Sequence, residues 1–129
     1  MKKVILLALL VPLQVAGQNT FKPGDVIITE IMADPDPVVG LPGKEYLEIH
    51  NLSDDTVNLK SWVLSDGNSR AVFPERELTP GSYAIVCQQQ DTSLFSRFGN
   101  TIGLKSFPAL TNSGKLLFLS DSRGKVIHG

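Results

Sequence analysis

The chain has 129 residues, with 12 basic and 13 acidic side chains and a formal net charge of −1. This length suits one domain and not comfortably two. The charge balance argues against a protein built to coat nucleic acid, because such proteins carry a basic patch or stripe. With Cys87 as its single cysteine, the chain cannot form an internal disulfide bond, so an exported domain must depend on its apolar core.

The first 17 residues predict a secretory signal peptide. A basic head at Lys2 and Lys3 precedes an unbroken apolar run at 4–11, and small residues lead up to Gly17. This layout is typical of a cleaved export signal, and the run is too short to cross a bilayer as a helix. Cleavage after Gly17 would leave ten basic and 13 acidic residues, a formal charge of −3. Cleavage after Ala16 is the alternative, and no cysteine at this site offers a lipid anchor.

Short strands separated by turns dominate the rest of the chain. Residues 18–24 form a polar leader, and residues 25–129 predict one β domain. Strands are expected at 25–32, 45–50, 57–59, 62–65, 70–73, 82–87, 115–120 and 125–128, with one or two helical turns within 91–98. Turn signals at such regular spacing predict an all-β sandwich or barrel. Prolines and glycines at 33–43 exclude both a helix and a central strand there.

The strand at 45–50 has the clearest pattern. Tyr46, Glu48 and His50 lie on one side, and Leu47 and Ile49 lie on the other. Strict alternation of this kind predicts a half-buried strand, and the Asn, Ser and Asp residues that follow favour a turn.

Taken in order, these segments resemble the lamin tail domain family. The resemblance rests on VIITEIMADP at 26–35, EYLEIHN at 45–51, VNLKSWVLSD at 57–66, the Phe-Pro and Leu-Thr-Pro-Gly turns at 73–74 and 78–81, and the closing hairpin at 110–127. It covers nearly all of residues 24–128 and implies an immunoglobulin-like β-sandwich. The matched positions are Glu30, Glu45, Tyr46, Glu48, Asn51, Leu59, Trp62, Leu64, Phe73, Pro74, Pro80 and Gly81.

The resemblance implies a secreted, non-catalytic module for binding, adhesion or structure that is part of a longer extracellular protein. Its partner would be an unidentified protein or cell-surface component. The bacterial branch of the family fits better than its nuclear branch, because an export signal and a nuclear role exclude each other. Domains of that branch accompany secreted nucleases, phosphatases and adhesion proteins, so an accessory domain of a secreted hydrolase is one alternative. The closing strand is shorter than in that branch, which predicts a domain truncated at its C-terminal end.

A calcium-dependent adhesion module is the other alternative. Asp34 and Asp36 flank one proline, and Glu30 precedes them on the first strand. Calcium takes six to eight oxygen ligands, and this spacing supplies only two side chains, with no further oxygens close by. We therefore expect no cofactor or metal, with the aspartates capping loop turns and Glu30 accepting local hydrogen bonds.

No catalytic set is predicted. A nucleophilic Ser or Cys needs an oriented base beside it, the only histidines are His50 and His128, and no serine has a Gly-x-Ser-x-Gly setting. Cys87 lies on the same strand face as other large side chains and is expected to be buried; pairing between molecules is the alternative. Trp62 is expected in the core, with an exposed ligand platform as the alternative.

Two further sequence features are interpreted without a functional role. Arg70 and Arg76 flank the Phe-Pro turn and suggest a small basic spot, which Glu75 and Glu77 are expected to neutralise. Asn51 begins an Asn-Leu-Ser sequence that matches an N-glycosylation acceptor, and we treat this match as chance in a chain of the bacterial type.

Overall fold

Ten short strands and one helical turn make up the part of the chain that the computed structural model describes, residues 20–129. The strands are β1 Val26–Met32, β2 Tyr46–Asn51, β3 Val57–Asn58, β4 Val63–Ser65, β5 Arg70–Val72, β6 Glu77–Leu78, β7 Tyr83–Gln88, β8 Thr101–Leu104, β9 Phe118–Ser120 and β10 Val126–His128. The helix α1 Thr92–Phe95 lies between two 3₁₀ turns, Gln89–Asp91 and Ser96–Phe98. The predicted signal peptide at 1–17 lies outside the described residues.

The strands form two four-stranded sheets and one two-stranded ribbon. The first sheet has the order β1-β2-β7-β8, with β7 and β8 parallel and the other pairs antiparallel. The second has the antiparallel order β10-β9-β4-β5, and β3 pairs with β6. The predicted all-β, immunoglobulin-like sandwich is therefore confirmed.

The main core lies between the two sheets. Leu47 and Ile49 of β2 are fully buried, as their alternation predicts, and Leu64 and Leu119 face them from the second sheet. Trp62 joins this core with only 2% of its surface exposed, and Phe21 packs edge-on against it with ring centroids 5.6 Å apart. Apolar burial of this kind is the main stabilising contribution in a chain without a disulfide.

A second, smaller cluster lies on the outer face of the first sheet. Tyr46, Cys87 and Phe95 are buried together there, and the Tyr46 and Phe95 ring centroids are 5.2 Å apart. Gly103 of β8 lets the helical segment approach, because a Cβ there would lie 2.8 Å from the Gln89 Cα. The prediction of a half-buried β2 was wrong at Tyr46, since a later segment covers that end of the outer face.

Two strands were missed by the sequence prediction. The ribbon strand β6 has two residues and β8 has four, too short for a pattern of period two to stand out. The helical turns predicted within 91–98 are present, and the predicted ends of the other strands differ from the observed ends by at most three residues.

The two sheets meet on one side and stay apart on the other. The Ile28 N–H donates to the His128 Nδ1 at 2.8 Å, and the Gly24 N–H donates to the Ile127 carbonyl at 2.8 Å. These bonds connect β1 to β10, whereas β5 and β8 are the free edges on the opposite side. Within residues 20–129 no helix has the length and apolar character needed to cross a membrane.

Candidate binding site

Acidic side chains lie on the outer face of the first sheet, beside the Tyr46 hydroxyl. That hydroxyl donates to the Glu30 Oε1 at 2.6 Å, and the Thr29 hydroxyl donates to the Glu48 Oε1 at 2.7 Å. Glu30 and Glu48 are opposite each other in the β1–β2 register. Burial, followed by the hydrogen bond to the Glu30 carboxylate, raises the pKa of Tyr46 to about 12. The hydroxyl therefore stays protonated and tethers β1 to β2.

Both histidines are engaged by backbone groups. The His50 ring stacks on Tyr83 with centroids 3.8 Å apart, and its Nε2 lies 3.2 Å from the Gly81 carbonyl. His128 accepts the Ile28 N–H described above. Neither ring is hydrogen-bonded to a serine or cysteine, so this part of the chain shows no oriented base beside a nucleophile.

Two of the candidate metal ligands, Asp34 and Glu30, accept local hydrogen bonds. Asp34 accepts the Asp36 N–H at 3.3 Å and the Asn112 side-chain amide at 3.0 Å, while Glu30 accepts the Tyr46 hydroxyl. Among residues 20–129 no group of three or more His, Cys, Asp or Glu side chains is placed to hold a metal ion.

Asn51 organises the turn after β2. Its side chain is fully buried and makes four hydrogen bonds. The amide donates to the Asp55 and Leu78 carbonyls, both at 2.8 Å. The amide oxygen accepts the Ser53 N–H at 2.9 Å and the Ser53 hydroxyl at 2.7 Å. A glycan has no access to this nitrogen, which agrees with treating the acceptor match as chance.

Two buried carboxylates hold the hairpin turns of the second sheet. The Asp66 Oδ1 accepts the Asn68 and Ser69 N–H groups at 2.9 and 2.6 Å, and its Oδ2 faces the Lys115 ammonium. The Lys115 contact, followed by these N–H groups, holds the pKa of Asp66 well below its usual range. Asp121 accepts the Arg123 and Lys125 N–H groups, both at 2.9 Å.

An open cleft of about 700 Å³ lies between the free edges of β5 and β8. Three basic side chains line it: Arg70, Arg76 and Lys105. Arg76 is fixed in place, because its guanidinium donates to the Thr101 carbonyl at 3.1 Å and to the Asn100 Oδ1 at 2.7 Å. Arg70 and Lys105 are exposed, and the cleft is the strongest candidate for a binding site.

The sequence prediction found only part of this cleft. Arg70 and Arg76 were recognised, but Lys105 follows β8, which was not predicted. Neither Glu75 nor Glu77 lines the cleft. Glu75 instead lies 3.9 Å from the Lys60 ammonium.

A comparison with models of protein families matches the description Lamin Tail Domain over residues 19–129. The chain belongs to the lamin tail domain family. A comparison with curated proteins found no match. Lamin tail domains are immunoglobulin-like, which agrees with the two packed sheets and is consistent with a non-catalytic module.

Apolar motif positions of this lamin tail domain lie mainly in the core. Leu59, Trp62, Leu64 and Phe73 are all at most 2% exposed. Pro74 and Pro80 are exposed on turns. Gly81 has a φ of +73°, a value at which a side chain is strained, and its N–H donates to the Asn51 carbonyl at 2.9 Å.

Polar motif positions connect neighbouring segments. The Glu45 carboxylate accepts the Leu110 N–H at 3.1 Å and so fixes the loop before β9. Glu30, Tyr46, Glu48 and Asn51 make the bonds described above. Cys87 is a free, fully buried thiol, and burial, followed by the charge of Asp91, raises its pKa to about 11.

Proposed function

We propose that this lamin tail domain is a secreted, non-catalytic module for binding, adhesion or structure, forming part of a longer extracellular protein of the bacterial type. The observation that carries the proposal is the use of the buried polar side chains. Asn51, Asp66 and Asp121 are the buried polar or charged residues of the region 20–129, and all three hold backbone turns. This use leaves none of them for bond-breaking chemistry.

The N-terminal pattern supports export. A basic head, an apolar run and small residues up to Gly17 have the order of a secretory signal. An exported module with one buried thiol needs no disulfide partner, because the packed core supplies its stability. Its partner is proposed to be a protein or cell-surface component.

No metal is part of the proposal. The Asp34 carboxylate accepts the Asp36 N–H and the Asn112 side-chain amide, and no group of three or more candidate ligands forms within residues 20–129, whereas calcium takes six to eight oxygen ligands. An equal melting temperature in calcium and in chelator is the expected result. A rise of several degrees in calcium would support the adhesion alternative instead.

The experiment that tests the proposed role follows the whole chain through a bacterial export system. We expect the exported protein to begin at Gln18 by intact-mass spectrometry, and to leave nitrophenyl phosphate and a DNA oligonucleotide unhydrolysed. The variant Leu7→Arg interrupts the apolar run and is expected to keep the chain inside the cell. A parent chain that stays in the cytoplasm with residues 1–17 attached would contradict the secreted role, and turnover of either substrate would contradict the non-catalytic one.

A further inference from the structure

Unpaired backbone groups of β5 face the cleft between β5 and β8. The Asp66 N–H donates to the Ser69 carbonyl, and the Phe73 N–H donates to the Trp62 carbonyl. Bonded and non-bonded pairs alternate along an antiparallel ladder, so the pairs Ser65–Arg70 and Val63–Val72 are non-bonded. The N–H and C=O groups of Arg70 and Val72 therefore point away from β4, toward the free edge.

The opposite wall of the cleft also offers a backbone edge. The Ile85 N–H donates to the Asn100 carbonyl in the parallel pair of β7 and β8. In this register Thr101 and Gly103 direct their backbone groups away from β7. The Thr101 carbonyl accepts from Arg76, which closes one end of the cleft and leaves the stretch beside Gly103 open.

The charge of the cleft has one sign. Its lining contains three basic side chains and no aspartate or glutamate. Arg70 and Lys105 are exposed, and neither side chain forms a hydrogen bond or ion pair within residues 20–129. The neighbouring Val72 is 58% exposed, so the wall combines unpaired positive charge with an apolar surface.

We propose that this cleft binds an extended acidic segment of a partner protein, which adds as a strand to the free edge of β5. The added strand would satisfy the backbone groups of Arg70 and Val72, as in other cases of strand addition to an exposed edge. Arg70 and Val72 lie on the same face of β5, and alternate residues of an added strand lie on one face. Acidic side chains on that face would pair with Arg70 and pack their methylene groups on Val72, while Lys105 adds a second positive charge to the cleft. This inference rests on the proposed role as a binding module and names the chemistry of its partner.

A strand of protein fits this cleft better than single-stranded nucleic acid. Binding of bases uses exposed aromatic rings as stacking platforms, whereas the one aromatic residue lining the cleft, Phe73, is 2% exposed.

The test uses the exported chain and a fluorescein-labelled peptide of alternating glutamate and valine. Fluorescence anisotropy at physiological ionic strength is expected to show saturable binding. The double variant Arg70→Glu/Lys105→Glu is expected to weaken binding at least tenfold. The control Lys22→Glu/Lys44→Glu makes the same change of charge at exposed lysines outside the cleft and is expected to bind as the parent does. Circular dichroism checks that both variants are folded.

A second peptide tests strand addition itself. N-methylation of alternate peptide nitrogens removes the donors that an added strand needs while keeping its charge, and is expected to weaken binding at least tenfold. Absence of binding, equal weakening by the control variant, or equal affinity of the methylated peptide would overturn the proposal. Tighter binding of oligothymidylate than of the peptide would also overturn it, in favour of a nucleic-acid site. An exported, processed chain that ignores the peptide would refute the cleft proposal and leave the secreted role standing.

Discussion

The ring and the hydroxyl of Tyr46 stabilise different contacts. Its ring packs against Phe95 in the outer cluster, while its hydroxyl donates to Glu30 across the β1–β2 pair. The alternation of β2 predicted the burial of Leu47 and Ile49 from sequence neighbours alone. The burial of Tyr46 could not be predicted in this way, because Phe95 reaches it from a helix in a later segment.

Replacement of Tyr46 by Phe is expected to cost about 1 kcal/mol of unfolding free energy at pH 7, since a hydrogen bond to a partly exposed carboxylate is lost. It should also change the alkaline response. The folded pKa of Tyr46 is raised to about 12 from an ordinary value of 10.0, so the unfolded state ionises first. The parent then loses stability as the pH rises through this window, and Tyr46→Phe loses less.

Urea unfolding between pH 8 and pH 12 measures this difference. Tyr83→Phe is the matched control, because Tyr83 is 50% exposed and its hydroxyl makes no hydrogen bond within residues 20–129. Cys87 also titrates at alkaline pH, but it is present in every variant and cancels in the comparison. Parallel curves for the parent and Tyr46→Phe would show that this hydroxyl does not contribute to the alkaline slope.

Asn51 joins three elements: β2, the turn that follows it, and the ribbon strand β6. The turn could be predicted from its composition, because Asn, Ser and Asp bond to nearby backbone groups. The bond to the Leu78 carbonyl could not be predicted, since β6 is too short to be recognised. This distant bond makes Asn51 more than a local turn residue.

Truncation of Asn51 to Ala is expected to destabilise the fold by about 3 kcal/mol, because it removes the donor to the buried Leu78 carbonyl and the acceptor of the Ser53 N–H. Asn58→Ala is the matched control: the exposed Asn58 accepts only the Lys60 N–H, at 3.0 Å, and its truncation should cost less than about 1 kcal/mol. Chemical denaturation gives both values. Similar costs for the two variants would mean that the buried network is not what fixes the turn.

Neighbouring residues in the sequence also predict only part of the cleft. Arg70 and Arg76 stand close together in the sequence, so a basic spot could be suggested from them. Lys105 joins them because β8 runs parallel to β7 at the edge of the first sheet. A short parallel strand containing a glycine has no distinctive sequence pattern, and the third charge therefore depends on topology.

Across the whole molecule, the two sheets are connected on the β1–β10 side and separated on the β5–β8 side. The connected side uses its backbone and imidazole groups internally. The open side leaves edge groups, two exposed basic side chains and an apolar residue facing solvent. The order of the motifs could predict a lamin tail sandwich, but only the arrangement of strands separates a closed side from an open one.

Strand addition at the cleft is measured most directly by mapping backbone amide chemical shifts when the glutamate–valine peptide is added to the isotope-labelled chain. The largest changes are expected at Arg70, Val72, Gly103 and Lys105, with the amides of β1 and β10 unchanged. Changes concentrated on β1, on the Glu30–Glu48 face, or nowhere would contradict it.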